Sequence, residues 1–435
     1  MVAEPLTLLR RTTCPHCWHS FPPEDVLWVA AHADLVGDPR LGPEQPQRFL
    51  PSRFDLDGNA VDARGFVCQQ LACPRCHLTF PRVLLETEPS FVSILGTPAC
   101  GKSFYLAALT WELRRLLPEQ FLLGFADADP AANRQLNEYE ESLFLNPHAA
   151  DLFPLADLIR KTELQGELYD AVSFGSQSVT YPRPFLFHVR PRSGHPAEAA
   201  RDAGRVLCLY DNAGEHFQPG RDSAASPVTQ HLARAQLLLF LFDPTQDPRF
   251  QALCRARHVD LEAAAAKGGR QELVLTEAAT RVRRALGLPA TARHERPLIV
   301  VVTKLDAWCG LLADREFPSP WRKTARGAGL DRERVERRSA EVRALLAQGC
   351  PELVTAAEDF AHEVLYVPVS ALGRKPVPGP RGPSIQPSGI RPLWVTVPLL
   401  YGMSRWMARL VPGLVRKAHA DEPGTPANGA AVKHT

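Results

Sequence analysis

A stretch of eight residues, 96–103, constrains the fold of this chain more than any other feature. Its sequence, G-T-P-A-C-G-K-S, matches the phosphate-binding pattern G-x-x-x-x-G-K-[ST]. An apolar run at 91–95 precedes it, and a helix-compatible run at 104–117 follows it. The glycines allow backbone N–H groups to surround a polyphosphate, and the start of a helix adds its dipole. The pattern therefore predicts a strand, a phosphate-binding loop (the P-loop) and a helix in succession.

The residue types of the P-loop predict a role for each position. We expect the Lys102 ammonium to contact the β- and γ-phosphates and the Ser103 hydroxyl to be a ligand of Mg²⁺. The other positions are expected to line the phosphates, mainly through the backbone: Gly96, Thr97, Pro98, Ala99, Cys100 and Gly101. A glycine-containing turn with an exposed lysine is the alternative interpretation.

Three more polar segments follow apolar, β-branched runs further along the chain. They are Asp211-Asn212-Ala213-Gly214-Glu215 after 205–210, Thr303-Lys304-Leu305-Asp306 after 297–302, and Ser370-Ala371-Leu372 after 364–369. Open parallel α/β sheets bind their ligands at the carboxyl ends of the strands. The sequence therefore predicts that these segments meet the P-loop at one edge of a parallel sheet.

In this order, the four motifs resemble those of the Ras-like small GTPases, over about residues 89–415. The resemblance implies a doubly wound, mostly parallel α/β domain that binds GTP or GDP with Mg²⁺. It implies that Asp211 holds Mg²⁺ and that the Gly214 N–H contacts the γ-phosphate. It also implies that Asp306 accepts two hydrogen bonds from guanine, that Lys304 covers the base, and that the Ala371 N–H contacts the guanine oxygen.

The chain departs from the family pattern at two positions. Thr303 stands where the family usually has Asn, which is a common change. Glu215 stands where rapidly hydrolysing members have Gln, which orients the attacking water. Because a carboxylate brings negative charge close to the γ-phosphate, we predict slow GTP hydrolysis unless a partner assists. The switch threonine is predicted to be Thr180, with Thr162 as the alternative, so the predicted catalytic residues are Lys102, Glu215 and Thr180.

A pair of C-x-x-C knuckles near the amino terminus is the second strong pattern. Cys14 and Cys17 form the first knuckle, and Cys73 and Cys76 form the second. Four thiolates in this layout suit a tetrahedral, structural Zn²⁺ site. The intervening segment 18–72 is rich in Pro, Gly and Asp and is predicted to be a long excursion within a zinc ribbon. Unligated thiols or a redox pair are the alternatives.

Composition and the motifs together predict the organisation of the chain. Its 435 residues carry a formal net charge of +2, which implies no general attraction to nucleic acid or membranes. No Lys/Arg cluster surrounds the knuckles, so nucleic acid is not the expected partner. The cysteines and the absence of a secretory signal predict a cytoplasmic protein. We predict a zinc-ribbon module at 1–86, a GTPase domain with insertions at 87–417, and a disordered tail at 418–435.

The carboxyl-terminal segment 392–415 is apolar, but Arg405, Arg409 and two prolines interrupt it. A spanning helix needs about 20 largely uncharged residues, so the segment is not predicted to cross a membrane. We expect the last amphipathic helix of the domain, and a helix lying on a membrane surface is the alternative. The Pro- and Gly-rich stretch 374–387 is predicted to be disordered.

The predicted function is a Mg²⁺-dependent GTP-binding switch with slow hydrolysis. The layout of ribbon and GTPase domain is similar to the bacterial double-GTPases (DO-GTPases) of conflict or signalling systems, which implies a protein effector. A non-hydrolysing nucleotide-binding scaffold that recruits partners through the ribbon is a second interpretation, which Glu215 favours. A third is an ATP-using P-loop protein in which residues 303–306 match by accident. The sequence does not identify the effector or the oligomeric state.

Overall fold

The computed structural model describes residues 7–159, 169–211, 228–261 and 270–414. The amino-terminal part is built from short strands around the two knuckles. Its strands are β1 (Thr12–Thr13), β2 (Ser20–Phe21), β3 (Leu27–Val29), β4 (Val36–Asp38), β5 (Gly42–Pro46), β6 (Arg48–Phe49), β7 (Leu71–Ala72) and β8 (Thr79–Phe80). Strands β6, β3, β7 and β8 form one sheet in that order. The excursion 18–72 between the knuckles therefore contributes three strands, β3, β6 and β7, to this sheet, and β8 follows the second knuckle.

The first half of the larger domain alternates strands and helices. Its elements are β9 (Pro89–Gly96), α1 (Lys102–Phe121), β10 (Leu123–Asp127), α2 (Arg134–Phe144), β11 (Phe153–Pro154), α3 (Leu155–Leu158), β12 (Tyr169–Phe174), β13 (Gln177–Pro182), β14 (Phe185–Pro191) and β15 (Arg205–Asp211). The predicted strand, loop and helix around the P-loop are all present, as β9, residues 97–101 and α1.

The second half of the domain continues the alternation. Its elements are α4 (Val228–Arg234), β16 (Leu237–Phe242), α5 (Pro248–Ala256), α6 (Gln271–Ala285), β17 (Leu298–Val302), α7 (Leu305–Trp308), β18 (Trp321–Lys323), β19 (Ala328–Asp331), α8 (Arg332–Gly349), α9 (Pro351–Phe360), β20 (Val364–Pro368), β21 (Val377–Gly379), β22 (Gly382–Ile385), α10 (Val397–Trp406) and β23 (Gly413–Leu414). Asp331 caps α8 by accepting a hydrogen bond from the Arg334 N–H, as its residue type favours.

A seven-stranded mixed sheet forms the centre of the molecule, in the order β10-β14-β15-β9-β16-β17-β20. Strands β15, β9, β16, β17 and β20 are parallel, whereas β14 and β10 pair antiparallel at one edge. Central strands such as β16 (L-L-L-F-L-F) and β17 (L-I-V-V-V) are buried at every position. Continuous apolar runs of this kind are expected where both faces of a parallel sheet are covered. The molecule is therefore a mixed α/β protein.

Two apolar clusters lie on the two faces of the sheet, because successive strand residues point to opposite sides. Ile94 belongs to the cluster that contains residues of α1 and α10, whereas its neighbour Leu95 belongs to the other. That second cluster also contains Trp18 and the knuckle cysteines. The amino-terminal module and the α/β domain thus share one continuous core.

The Pro- and Gly-rich stretch 374–387 contains a β-hairpin, so the prediction of disorder was wrong. Strands β21 and β22 pair with each other, and β22 also pairs with β11. Gly382 adopts a φ of 106° at the turn, and Ile385 is buried. The glycine permits the tight turn rather than indicating a flexible segment.

The carboxyl-terminal helix α10 is shorter than the predicted segment and is buried in the domain. All residues from Val397 to Ser404 are buried. Arg405 and Arg409 form ion pairs with Glu363 and Asp202, both at 2.9 Å. The apolar side chains are therefore already covered by protein, which contradicts the alternative of a membrane-surface helix. In the described part of the chain, no helix has the length and apolar character needed to span a bilayer. The predicted tail at 418–435 lies outside the described residues.

Candidate functional site

The carboxyl ends of the parallel strands bring most of the predicted motifs to one edge of the sheet, which we call the ligand edge. Gly96 ends β9, Asp211 ends β15, and Thr303 directly follows β17. Ser370 comes soon after the end of β20. Asp211 is in register with Ile94 on the neighbouring strand, and Gly96 is in register with Leu241 of β16. Open parallel sheets bind ligands at this kind of edge.

The P-loop has a tightly curved backbone between β9 and α1. Ala99 and Gly101 adopt φ values of 62° and 94°, in the left-handed region. Gly96 is required by packing, because a Cβ there would lie 2.6 Å from the backbone oxygen of Leu241. Pro98 and Ala99 are exposed, whereas Thr97 and Cys100 are buried. The loop therefore presents its tip to solvent directly before the amino terminus of a 20-residue helix.

The Lys102 side chain folds back over the P-loop. Its Nζ donates hydrogen bonds to the backbone oxygens of Gly96, at 2.9 Å, and Thr97, at 3.2 Å. Ser103 lies half-buried in the first turn of α1. An ammonium group is thus held at the loop by neutral acceptors, which an anionic ligand can replace.

The Asp211 carboxylate contributes an unsatisfied buried oxygen to this edge, as far as the described residues show. Within the described residues, its Oδ1 is buried and has no hydrogen-bond partner. Burial raises the pKa of Asp211, and the nearby positive charge of Lys102 opposes that rise. A buried carboxylate oxygen without a partner is costly unless a cation or water reaches it. Carboxylate oxygens are donors that suit Mg²⁺.

An ion pair between a buried carboxylate and the partly exposed Lys304 side chain joins the end of β16 to the segment 303–306. Asp243 is fully buried, and its Oδ2 lies 2.5 Å from the Lys304 Nζ. The same carboxylate also accepts hydrogen bonds from the Thr245 N–H and hydroxyl and from the Gln246 amide. The lysine side chain is thereby held in a defined direction at the ligand edge. No pattern in the sequence predicted this role for Asp243, although an Asp directly after an apolar strand could have indicated a site residue.

Gln271, the first residue of α6, links the P-loop to β16. Its amide oxygen accepts hydrogen bonds from the Thr97 hydroxyl and the Asp243 N–H, both at 3.1 Å. Its amide nitrogen donates to the Asp243 backbone oxygen at 2.8 Å. This buried glutamine therefore connects two neighbouring loops, and the sequence contained no pattern that singled it out.

Thr303 makes the corresponding link between the P-loop and the segment 303–306. Its hydroxyl lies 3.0 Å from the Cys100 backbone oxygen and 3.2 Å from that of Phe242. The residue is buried. The Thr303 side chain thus connects the two loops through a hydrogen bond.

Asp306 and Ser370 contact each other at the far end of the ligand edge. The Ser370 hydroxyl donates to the Asp306 Oδ1 and accepts a hydrogen bond from the Gly373 N–H at 2.7 Å. Burial raises the pKa of Asp306, and the Ser370 hydrogen bond opposes that rise. Ala371 and Leu372 are half-buried beside them. The serine of the S-A-L motif therefore orients the aspartate of T-K-L-D.

Four predicted residues are not placed at the ligand edge. Gly214, Glu215 and the alternative switch residue Thr162 lie outside the described residues. Thr180 lies on β13, in a hairpin where it pairs with Ala171. The roles of these residues remain predictions.

The four knuckle cysteines form one buried cluster. Their sulfur atoms all lie within 4.8 Å of one another, with Cys14 3.8 Å from Cys76 and Cys17 3.6 Å from Cys73. Burial raises the pKa of the Cys14 and Cys76 thiols, and hydrogen bonds from the neighbouring thiols lower that of Cys73. The predicted grouping is confirmed, and these four donors could hold a metal ion such as zinc.

The two knuckles, residues 14–19 and 73–78, share one backbone geometry. In each, the N–H of the first cysteine donates to the carbonyl five positions later, at 2.9 and 3.0 Å. The N–H two positions later donates to the sulfur of that cysteine, at 3.4 Å in both cases. The residue after the second cysteine has a positive φ, 55° at Trp18 and 62° at His77. Two copies of the same local turn thus point four sulfurs at one centre.

Comparison with known proteins gives one informative similarity. No protein-family model matches the chain. The chain is 26% identical, over 352 residues, to SaeC of Mycolicibacterium smegmatis (strain ATCC 700084 / mc(2)155), which is named for ESX-1 scaffolding and assembly. The match covers 77% of this chain and 78% of SaeC. The similarity therefore extends through most of both proteins.

Proposed function

We propose that this protein is a Mg²⁺-dependent GTP-binding switch that hydrolyses GTP slowly and acts through a protein partner. The observation that carries the proposal is the meeting of the P-loop, Asp211, residues 303–306 and residues 370–372 at one edge of the sheet. Each motif follows a parallel strand, in the order that the family resemblance implies. The hydrogen bonds from Thr303 to the Cys100 carbonyl and from Ser370 to Asp306, which join these segments, also support the proposal.

The phosphate end of the proposed site consists of the P-loop and Lys102. The Lys102 ammonium would exchange the carbonyls of Gly96 and Thr97 for phosphate oxygens, which are charged and therefore stronger acceptors. The amino terminus of α1 would add its dipole to this attraction. A bound Mg²⁺ would neutralise charge on the phosphates. The Ser103 hydroxyl and the Asp211 carboxylate would hold that ion.

The base end of the proposed site consists of Asp306 and Lys304. An ionised Asp306 only accepts hydrogen bonds, and guanine offers two adjacent donors, N1–H and the 2-amino group. Adenine offers no matching pair, so binding it would leave the carboxylate unsatisfied. The Ser370 hydroxyl holds the carboxylate in place, and the pairing of Lys304 with Asp243 holds the lysine stem beside the base.

We propose that the cysteine cluster holds a structural Zn²⁺ ion. A closed set of four sulfur donors suits a structural zinc site, whereas a catalytic zinc keeps one position open. The two N–H···S hydrogen bonds, from His16 and Arg75, stabilise thiolate charge on the first cysteine of each knuckle. The ion would thereby join the two knuckles, which are far apart in the sequence.

A non-hydrolysing nucleotide-binding scaffold is the second candidate function. SaeC, named for scaffolding and assembly, favours protein interaction as the output of either candidate. Glu215, at the position of the water-orienting Gln, favours the candidate without turnover. The two candidates share the nucleotide site and differ only in hydrolysis.

Nucleotide titration in Mg²⁺ tests the shared part of the proposal. The Lys102→Ala variant should lose GDP and GTP affinity by about 100-fold or more, because charge-assisted hydrogen bonds to phosphate are lost. The matched control is Lys323→Ala, an exposed lysine on β18, which should bind like the unmodified protein. Equal affinities in all three proteins, or no binding, would reject the nucleotide site.

Single-turnover hydrolysis of bound GTP separates the two candidates. Slow conversion to GDP that accelerates in Glu215→Gln supports the switch with turnover. Bound GTP that stays intact in both proteins, with candidate partners present, supports the scaffold.

A further inference from the structure

The first knuckle packs directly against residues that neighbour the ligand edge. Trp18, which follows Cys17, is 1% exposed. Its ring lies 5.9 Å from that of Tyr210, 6.0 Å from that of His231 and 6.3 Å from that of Tyr181. These three rings belong to β15, α4 and β13. A side chain of the proposed metal module therefore contacts three separate elements of the α/β domain.

Two hydrogen bonds fix the position of the knuckle against β15. The Trp18 Nε1–H donates to the Tyr210 hydroxyl at 3.1 Å, and that hydroxyl donates to the Pro15 backbone oxygen at 2.5 Å. Burial raises the pKa of Tyr210 well above its usual range, so the hydroxyl keeps its proton. Both partners lie on the first knuckle, which is thus held through its side chain and its backbone.

Two of the residues that Trp18 contacts are sequence neighbours of predicted site residues, and the third is joined to β9 by a hydrogen bond. Tyr210 immediately precedes Asp211 on β15, and the two side chains point to opposite faces of the strand. A shift of the strand at Tyr210 therefore also moves Asp211. Tyr181 immediately follows Thr180 on β13. His231 hydrogen-bonds through Nδ1 to the hydroxyl of Ser93 on β9, the strand that ends at Gly96. Through Tyr210 and His231, Trp18 is therefore connected to β15 and β9, whose carboxyl ends form the phosphate side of the ligand edge.

We propose that the cysteine cluster and the nucleotide site are energetically coupled through Trp18 and Tyr210, so that a ligand at one site changes the affinity of the other. This inference rests on the proposed function. Close-packed interiors transmit displacements, and the rings between the two sites are buried and tightly packed. The coupling must be reciprocal, because it is a property of the binding equilibria. It gives the amino-terminal module a regulatory role besides a structural one.

Zinc competition measures this coupling on the full chain. The apparent Zn²⁺ affinity is measured against a chelator of known affinity, with and without saturating GDP and Mg²⁺. GDP is expected to change the Zn²⁺ affinity about 5-fold or more in the unmodified protein, within the usual range for coupled sites. The Tyr210→Phe variant keeps the ring and removes both hydrogen bonds. It should bind each ligand alone and bring the ratio of the two Zn²⁺ affinities close to one.

Two further variants keep the test decisive. Tyr366→Phe removes a hydroxyl from another buried strand tyrosine, whose partner is Glu358, and should keep the full coupling. Trp18→Phe keeps an aromatic ring without the Nε1 donor and should reduce the coupling as Tyr210→Phe does. A Zn²⁺ affinity that GDP leaves unchanged in the unmodified protein, which binds GDP, overturns the coupling alone. Failure to bind any guanine nucleotide overturns the proposed function and the coupling with it.

Discussion

The cysteine cluster and the ligand edge are two polar centres built in opposite ways. The cluster takes its four donors from two short turns, and all four sulfurs lie within 4.8 Å of one another. The ligand edge takes its groups from four strand ends, between Gly96 and Leu372. Its side chains hold one another, as Lys102 does with the P-loop carbonyls and Ser370 does with Asp306.

This difference suits the cysteine cluster to a ligand that stays bound and the ligand edge to a ligand that exchanges. Removing an ion from the cluster would leave four buried thiols whose partners are one another and two backbone N–H groups, so an empty site is costly. At the ligand edge, Lys102 and Asp306 already have protein partners, so a ligand can leave without leaving them unpaired. Asp211 is the exception, because its Oδ1 has no partner among the described residues. We infer that the cluster stabilises the fold, whereas the edge binds and releases its ligand.

The largest expected effect comes from removing one sulfur of the cluster. Cys73→Ser should abolish metal binding and lower the free energy of unfolding by more than about 3 kcal/mol, because metal binding and folding of such modules are linked. The measurement is metal content together with chemical denaturation. The matched control is Cys68→Ser, a buried cysteine of the same module outside the cluster, which should keep the metal and lose about 1–2 kcal/mol. Full metal content and stability in Cys73→Ser would contradict the site.

The next largest effect is expected at the unsatisfied carboxylate of the ligand edge. Asp211→Asn keeps the shape of the side chain and removes its charge, so it should weaken GTP binding in Mg²⁺ by about 10–100-fold, as expected for a lost charged contact. Without Mg²⁺, the variant and the unmodified protein should bind GTP about equally. Titration in Mg²⁺ and in EDTA checks this. An equal loss under both conditions would show that Asp211 acts on the fold rather than on the ion.

The pH dependence of GDP affinity should reflect the raised pKa of the buried Asp306 carboxyl group. Guanine donates both hydrogen bonds, so GDP binds the ionised carboxylate and lowers its pKa. Affinity should therefore be constant above the pKa of Asp306 in the nucleotide-free protein and fall about tenfold per pH unit below it. Because burial raises that pKa, the fall should begin above about pH 3.9, the usual value for Asp.

The burial of Asp306 also affects stability, with the opposite sign. Its ionisation costs more in the folded state than in the unfolded one, so in the nucleotide-free protein this group stabilises the fold as the pH falls through the raised pKa. Asp211→Asn should retain the pH profile of GDP affinity. A profile that stays flat down to the usual Asp range would contradict the proposed contact with guanine.

The smallest effect is expected at Thr303, which links the P-loop to the segment 303–306. Thr303→Val removes the hydroxyl that bonds the Cys100 carbonyl and should weaken GDP binding by about 3–10-fold, corresponding to one neutral hydrogen bond. Thr303→Ser keeps the hydroxyl and should bind within about twofold of the unmodified protein, well under 1 kcal/mol. Titration calorimetry on the pair checks this. A loss in Thr303→Ser with unchanged binding in Thr303→Val would assign the effect to packing of the threonine methyl group.

Features encoded in short segments could be predicted from the sequence. The C-x-x-C turns and the strand–loop–helix around the P-loop depend on neighbouring residues, so their pattern was sufficient. The strands β15, β17 and β20 were also predicted, because their apolar runs are continuous. The edge strand β10 and the hairpin β12–β13 were not, since they lie in an insertion without a strong period.

Contacts between distant segments could not be predicted from local patterns. The ion pair of Asp243 with Lys304 and the bridge from Gln271 to Thr97 join residues far apart in the chain. The hydrogen bond from Trp18 to Tyr210 spans 192 positions. Each partner alone is an ordinary residue of its segment, and only the sheet order brings the two together. The prediction of disorder at 374–387 was wrong for the same reason. Pairing with the distant strand β11 orders that hairpin.

Recognition of guanine by Asp306 underlies the proposed function, and an exchange of the hydrogen-bonding groups of this side chain examines it without changing its shape. Asp306→Asn replaces an acceptor-only carboxylate by an amide with one acceptor and one donor. The donor would oppose the 2-amino group of guanine and match the 2-oxo group of xanthine.

The measurement is a titration of GDP, XDP and ADP, in Mg²⁺, into the unmodified protein and Asp306→Asn. We predict that the unmodified protein prefers GDP and that the variant loses about 100-fold or more of its GDP affinity, as for a site left with unpaired polar groups. We also predict that the variant gains affinity for XDP. Equal GDP and ADP affinities in the unmodified protein, or a variant whose preference is unchanged, would contradict the account.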